Sequence, residues 1–148
     1  MRKLFIAFSI LSASFFMAAM PAQNVNNKAI ETFSAIFKDA SEIRWRSYKT
    51  FTDAAFIQND RRITATFDNA GNLIQTISYY KEDKLPPMIL NRIRKTYAYH
   101  EIFYITEVFN SYGHNYKVLL RDDKKYYYVN VAESGQMSLM QKYNRADL

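Results

Sequence analysis

An internal similarity between the two halves of the chain constrains its fold more than any other feature. The sequence EIRW at residues 42–45 is echoed by EIFY at residues 101–104, and NAGN at 69–72 is echoed in outline by ESGQ at 133–136. At nearly constant offsets, apolar positions also correspond: Ile30 with Leu90, Phe33 with Ile93, Phe37 with Tyr97, and Trp45 with Tyr104. Two copies of one small unit normally bury a shared core and present one continuous surface, which suits binding better than reaction chemistry.

The N-terminal segment has the pattern of a secretory signal peptide. Arg2 and Lys3 precede a nearly unbroken apolar run over residues 4–17, and small residues around Ala22 offer a cleavage point. The run is short for a membrane anchor, which needs about 20 residues. We predict a signal peptide over residues 1–22, a mature domain over 23–148 without stable membrane insertion, and a periplasmic or secreted location. The chain has no cysteine, which excludes lipidation on cysteine and disulfide bonds.

Charge gives no sign of a nucleic-acid partner. The 20 Lys and Arg residues are interspersed with 14 Asp and Glu residues, as in residues 81–84 and 121–125. Proteins that follow phosphate backbones concentrate basic residues in a stripe. We therefore interpret these mixed clusters as solvated turns.

Two hydrophobic spacings alternate along the mature chain. Ile30, Phe33 and Phe37 recur at helical steps and predict a helix over residues 27–38, while Pro86 and Pro87 open a second helix whose face is marked by Leu90, Ile93 and Tyr97. The segments between them alternate with period two, as strands with one solvated face do. We predict an α+β fold, a tandem repeat of a helix plus a four-stranded antiparallel sheet over residues 28–80 and 85–143, with the helices on one face and a curved sheet exposed on the other.

The order of these motifs resembles a known family. A helix with Phe33 and Phe37, an acidic-apolar-Trp strand at 42–45, Thr-Phe-Asp at 66–68 before Gly71, and Leu85-Pro86 opening a second helix are similar to the PepSY-like, beta-lactamase-inhibitor-like periplasmic proteins of Bacteroidetes. The resemblance covers roughly residues 28–143, although Lys38-Asp39 stands where a Phe-Pro pair often follows the first helix. It implies two helix-plus-sheet modules side by side, and it transfers no catalytic residue.

The chain offers few groups for catalysis. Without cysteine it has no thiol nucleophile and no structural zinc site of the usual kind. His100 and His114 lack the spacing of a ligand pair and are expected at the surface or in turns. Most aspartates fall in predicted turns, and Gly71, Gly113 and Gly135 do not form a phosphate loop. We predict no catalytic residue, no metal and no cofactor.

Aromatic residues supply the positive clue, with 12 Tyr, 11 Phe and 1 Trp. Tyr127 and Val129 occupy the alternate positions of their strand that are predicted to face the core, so Tyr126 and Tyr128 point to the opposite face. In the first strand the same argument places Ile43 and Trp45 inside, with Tyr104 as the inward counterpart of Trp45. The predicted partner-binding residues on the outer sheet face are Arg44, Arg46, Tyr48, Arg62, Thr64, Tyr126 and Tyr128.

Three functional hypotheses follow. The first is an exported, non-enzymatic binding module that holds a protein or peptide on this face, with an inhibitor-like mode, because Tyr and Arg are enriched in interfaces. The second is a small envelope enzyme or glycan-binding protein. The third is a structural envelope protein without a dedicated ligand, in which cross-strand Tyr and Arg pairs only stabilise a solvated sheet. The pattern predicts neither the identity of the partner nor the oligomeric state.

Overall fold

The computed structural model describes residues 25–146, so the expected signal peptide over residues 1–22 lies outside the described residues. The elements follow one another along the chain, with a short 3-10 turn (Glu82–Lys84) before the second helix. They are α1 (Asn27–Ile36), β1 (Ser41–Ser47), β2 (Phe51–Gln58), β3 (Arg61–Asp68), β4 (Leu73–Tyr80), α2 (Pro87–Thr96), β5 (Glu101–Asn110), β6 (Gly113–Arg121), β7 (Lys125–Ala132) and β8 (Met137–Asn144).

The strands form one eight-stranded antiparallel sheet in sequential order from β1 to β8. The two halves join through β4 and β5, where Ser78 lies opposite Glu107 and Tyr80 opposite Ile105. The predicted α+β tandem repeat of a helix plus a four-stranded sheet is therefore wrong. The described part of the chain is mostly β, with one continuous sheet and two ten-residue helices. Pairing β4 with β5 satisfies backbone groups that would line two open edges in separate sheets, and side-chain alternation alone does not reveal that pairing.

Both helices pack on the same face of the sheet, which we call the inner face. Ile63, Ser78, Glu107 and Tyr116 lie opposite one another in succession across β3 to β6, so their side chains share this face. Ile63 belongs to the core cluster under α1 and Tyr116 to the cluster under α2. The other face, which we call the outer face, carries the alternate residues of each strand.

Helix α1 begins at an Asn26 cap and ends at Ile36, two residues earlier than predicted. The Asn26 side chain accepts a hydrogen bond from the Lys28 amide at 3.0 Å, which satisfies one of the free N–H groups of the first turn. Ala29 and Phe33 face the core, whereas Ile30 is 37% exposed. The predicted apolar face therefore began one residue too late, at Ile30 instead of Ala29, because Ala29 was not counted as apolar.

Helix α2 begins at Pro87, where a missing N–H costs no helical hydrogen bond. Its buried residues are Ile89 and Ile93, while Leu90 and Tyr97 are partly buried against the same cluster. The predicted face named Leu90, Ile93 and Tyr97 and missed Ile89. The helix thus presents a broader apolar stripe than the predicted spacing indicated.

Bulges in β1 and β5 change which side chains reach the core. The β1 pairing passes from Ser41–Ile57 to Arg44–Ala55, and Ile43 beside this bulge is 42% exposed rather than inside. The β5 pairing passes from Ile102–Leu120 to Tyr104–Leu119, so Tyr104 lies on the outer face. The prediction that Tyr104 is the inward counterpart of Trp45 is therefore wrong. The next residue, Ile105, faces the core and is fully buried.

Candidate functional site

Strand pairing places the predicted binding residues on or beside the outer face. Arg44 and Arg46 in β1 flank the inward Trp45, whose ring packs edge-on against Phe33 at 5.2 Å between ring centroids. The others follow the same alternation. Arg62 and Thr64 flank buried Ile63, Tyr126 and Tyr128 flank the inward Tyr127, and Tyr48 lies just beyond β1, stacked on Phe51 with centroids 4.3 Å apart.

The predicted arginines form one cluster, which we call the arginine cluster: Arg44, Arg46 and Arg62. They line a shallow depression of about 290 Å³ whose other walls include Ala55, Ile57 and Glu42. Ala55 lies between Arg44 and Thr64 in the sheet and is small, so it leaves the floor of the depression open. The three guanidinium groups make no hydrogen bond or ion pair with any residue between 25 and 146. The cluster thus places three exposed, permanently charged groups on one surface.

The predicted tyrosines belong to a second group at the far end of the sheet, which we call the aromatic cluster. It comprises Phe103, Leu119, Tyr126, Tyr128 and Tyr143, which line a depression of about 400 Å³. Tyr128 and Tyr143 meet edge-on with centroids 5.6 Å apart, and they are 44% and 46% exposed. The sequence argument found Tyr126 and Tyr128 but missed the other three. Tyr143 lies opposite Tyr126 across β7 and β8, and the alternation of β7 alone could not give that register.

Beside the arginine cluster, a depression of about 480 Å³ lies where β2 turns into β3 and β4 ends, and its lining includes Asp60 and Asp83. Arg62 and Ile57 line both this depression and the depression at the arginine cluster. Tyr79 and Tyr104 lie in its wall with their rings nearly parallel and 6.2 Å apart. Lys81, in the same lining, contacts the aromatic cluster: its ammonium group donates to the Phe103 carbonyl at 2.9 Å and lies 4.9 Å above the Phe103 ring. The result is a band of cationic and aromatic side chains that crosses the strands.

The margin of the aromatic cluster is held by an ion pair. Arg121 donates two hydrogen bonds to the Glu101 carboxylate at 2.7 and 2.9 Å, and its guanidinium group lies 4.4 Å above the Phe103 ring. These hydrogen bonds lower the pKa of Glu101. Because Arg121 is already engaged by Glu101, it contributes packing to the cluster rather than a free charge.

The two histidines occupy inner-face and turn positions with few options for chemistry. His114 lies in β6, where its Nε2 is 2.6 Å from Glu107 Oε1, so the expectation of a surface or turn position is wrong for this residue. His100 lies in the turn before β5 with its ring edge-on to Tyr127 at 4.6 Å. Its buried Nδ1 has no hydrogen-bond partner among residues 25–146. Within that range, no group of three or more His, Cys, Asp or Glu side chains could hold a metal ion.

Comparisons with known proteins identify the fold. The chain superposes on a BLIP-like protein from Bacteroides fragilis with a TM-score of 0.64 and 16% identity, covering 86% of this chain and 89% of that one. A DUF2874 family protein from Bacteroides ovatus gives a TM-score of 0.65 and 18% identity, covering 83% and 89%. A Bacteroides eggerthii protein whose description suggests a periplasmic location gives 0.62 and 13%, covering 82% and 89%. The chain therefore has the BLIP-like fold of these Bacteroides proteins.

Sequence comparisons add no further assignment. No protein-family model matches the chain, and no curated protein matches it. Of the predicted PepSY-like, beta-lactamase-inhibitor-like family, the comparisons therefore support only the BLIP-like fold. Between residues 25 and 146, neither helix has the length and hydrophobicity required to cross a bilayer.

Proposed function

We propose that this chain is an exported, non-enzymatic binding module that holds a protein or peptide on its outer face. The observation that carries the proposal is that the arginine cluster and the aromatic cluster lie on one face of one sheet, on the side away from both helices. Exposed Arg and Tyr are the residue types that most often supply binding energy at protein interfaces. Tyr79 and Tyr104 lie between the two clusters on the same face, so a single partner can touch both.

The alternative of a merely stabilised, solvated sheet explains these residues less well. Cross-strand pairs stabilise a sheet only if their side chains meet. Arg121 and Lys81 do meet aromatic rings in this way. Arg44, Arg46 and Arg62 form no hydrogen bond, ion pair or cation–π contact with any residue in the range 25–146. Their side chains are exposed and are therefore available to a partner.

The non-enzymatic part of the proposal is supported by the state of Glu107, a carboxylate that is only 17% exposed. Glu107 has both oxygens engaged, one by His114 and the other by Arg61 and the Tyr80 hydroxyl. A general acid or base needs access to its substrate, and this carboxylate instead joins strands. The proposed mode of action is surface complementarity, with the module covering the cleft of a target as an inhibitor does. Export rests on the signal-peptide pattern of residues 1–22.

Affinity capture from a periplasmic extract with the mature chain, followed by mass spectrometry, identifies the partner and tests this proposal. The affinity of the isolated partner is then measured for Tyr126→Ser/Tyr128→Ser and for Tyr112→Ser. Tyr112 is the matched control, because it is 93% exposed at the β5–β6 turn, away from the aromatic cluster. We expect the double variant to weaken binding at least about tenfold, the effect of a lost interface anchor, and the control to bind normally. Unchanged affinity of a folded double variant refutes the outer face as the site.

A further inference from the structure

The fold gathers positive charge on the outer face, although the sequence spreads it along the chain. Strand alternation and pairing assign a large set of cations to this face. They are Arg44, Arg46, Arg62, Lys117 and, at its margin, Lys81, in addition to Arg121, whose charge is matched by Glu101. Lys117 is exposed between buried Tyr116 and Val118, and like the arginine cluster it has no side-chain partner among residues 25–146.

Acidic side chains on the same face are fewer than the cations. Asp53 lies opposite Arg46 and accepts a hydrogen bond from the Thr66 hydroxyl at 2.6 Å, which leaves its negative charge in place. Glu101 is held by Arg121. Glu42, in the β1 bulge, is the acidic residue that lines the arginine depression. Asp60 and Asp83 line the neighbouring depression of about 480 Å³, where each carboxylate lies 3.9 Å from Lys84 Nζ. Most of the other acids lie in turns, in α1 or on the inner face, so the outer face carries a net positive charge.

The two clusters are separated by a distance that defines the size of the ligand. Arg62 is in β3 and Tyr128 is in β7, four strands apart in the sheet order. At about 4.8 Å between strands, this separation is about 19 Å, which an extended chain of about six residues spans. Tyr79, opposite Arg62, and Tyr104, opposite Leu119, lie between the clusters on the outer face, so an extended segment can run from one cluster to the other. A flat lipid surface would leave the depressions at the two clusters empty.

We infer that the partner presents an acidic segment that crosses the strands, with carboxylates on the arginine cluster and an aromatic or large apolar side chain in the aromatic cluster. This inference rests on the proposed function and specifies the chemistry of its partner. Guanidinium groups bind carboxylates through paired, charge-assisted hydrogen bonds. The aromatic depression offers ring faces and the Leu119 side chain to an apolar anchor. Charge at one end and apolar surface at the other also fix the direction of the segment.

A synthetic twelve-residue peptide tests the inference. It carries four glutamates at one end and a Trp-Leu pair at the other, separated by a Gly-Ser spacer, and its control has glutamine at the four positions. Binding to the mature chain is measured by fluorescence anisotropy at low and high salt. We expect the acidic peptide to bind at least about tenfold more tightly than the glutamine peptide at low salt, with the difference shrinking as salt screens the charges. Equal binding of the two peptides contradicts the inference.

Protein variants locate the contact. Arg44→Gln/Arg46→Gln/Arg62→Gln is compared with Lys38→Gln/Lys95→Gln/Lys124→Gln, which removes the same charge from exposed positions outside the outer face. We expect the first variant to lose the preference for glutamate and the second to keep it. If both keep it, the arginine cluster is not the acidic site. Tighter binding to anionic phosphatidylglycerol vesicles than to the acidic peptide also overturns the inference, in favour of a membrane surface.

The same variants separate this inference from the proposed function when they are tested against the captured partner. Loss of partner binding in the Tyr126→Ser/Tyr128→Ser variant, with full binding by the triple arginine variant, preserves the outer face as a binding site and refutes the acidic partner. Full binding by both variants refutes both proposals. Circular dichroism and the fluorescence of Trp45, which lies in the core cluster under α1, establish that each variant is folded.

Discussion

His114 in β6 lies diagonally across from Glu107 in β5, with the His114 Nε2 atom 2.6 Å from Glu107 Oε1. The other Glu107 oxygen receives hydrogen bonds from Arg61 Nη1, at 3.3 Å, and from the Tyr80 hydroxyl. Burial, followed by this hydrogen bond, raises the pKa of Tyr80 far above its ordinary value. Glu107 and its partners Arg61, Tyr80 and His114 form a set that we call the Glu107 group. This group joins β3, β4, β5 and β6 on the inner face, where the core cluster under α1 meets the core cluster under α2.

Removing this carboxylate is expected to destabilise the fold. Glu107 is only 17% exposed and Arg61 30%, so Glu107→Ala leaves a cation and two hydrogen-bonding groups partly buried without their partner. We expect a loss of about 2–4 kcal/mol in the free energy of unfolding. Urea denaturation followed by Trp45 fluorescence measures it.

The matched control is Glu101→Ala, which breaks the more exposed pair with Arg121. That pair should contribute about 0–1 kcal/mol, as surface ion pairs do. Equal losses in the two variants would show that the Glu107 group has no special role in joining the strands.

The β6–β7 turn gives a prediction for acid stability. Asp122 accepts hydrogen bonds from the Tyr127 hydroxyl at 2.6 Å and from the Lys124 and Lys125 amides, and these lower its pKa from 3.8 to about 2. A depressed folded-state pKa stabilises the fold fully above the unfolded value, and this contribution is lost as the pH falls from about 4 to about 2. Asp122→Asn should therefore lower stability at neutral pH and flatten its dependence over that acid window.

Asp123→Asn is the control for this prediction, because the adjacent carboxylate is exposed and accepts no hydrogen bond from residues 25–146. Urea midpoints are compared at pH 2, 3, 4 and 7. A steep acid dependence that persists in Asp122→Asn, or disappears in Asp123→Asn, contradicts the assignment.

Gly71 is expected to be far less replaceable than Gly113. Both have positive φ, at 89° and 113°, so either alanine substitution incurs backbone strain of about 1 kcal/mol. A β-carbon at Gly71 would also lie 2.5 Å from Lys28 Cβ and 2.8 Å from the Lys28 carbonyl carbon, whereas one at Gly113 meets nothing within 4 Å. Gly71→Ala should cost a further 1–3 kcal/mol or so, as overpacking does. Thermal unfolding measures both variants, and equal melting temperatures would contradict the close approach of α1 to this turn.

Local sequence patterns predicted the elements well, because each rests on neighbouring residues. The alternation of Ile63, Ala65 and Phe67 indicates β3, and Pro87 indicates the start of α2. The pairing of β4 with β5 depends on residues such as Ser78 and Glu107, which are distant in sequence. No local pattern encodes that contact, which is why one continuous sheet was mistaken for a repeat of two smaller ones.

Only part of the candidate site was predicted, because alternation within one strand is local and the register between strands is not. Alternation placed Tyr126 and Tyr128 opposite the core phase of β7. It could not place Tyr104, because the bulge at Phe103 reverses the alternation by one residue. Tyr143 was missed because its position opposite Tyr126 depends on the β7–β8 register, which contains an irregularity. A bulge costs little locally and changes the face of every side chain after it.

A partner bound to the outer face shields the side chains that it covers from solvent. Hydrogen exchange of the mature chain, free and bound to its captured partner, combined with oxidative footprinting of tyrosine side chains, measures this shielding. We expect protection of Tyr126, Tyr128 and Tyr143 and of the exposed ends of β1, with Tyr112 equally reactive in both states. Protection confined to α1 and α2, with the outer-face tyrosines unchanged, would contradict it.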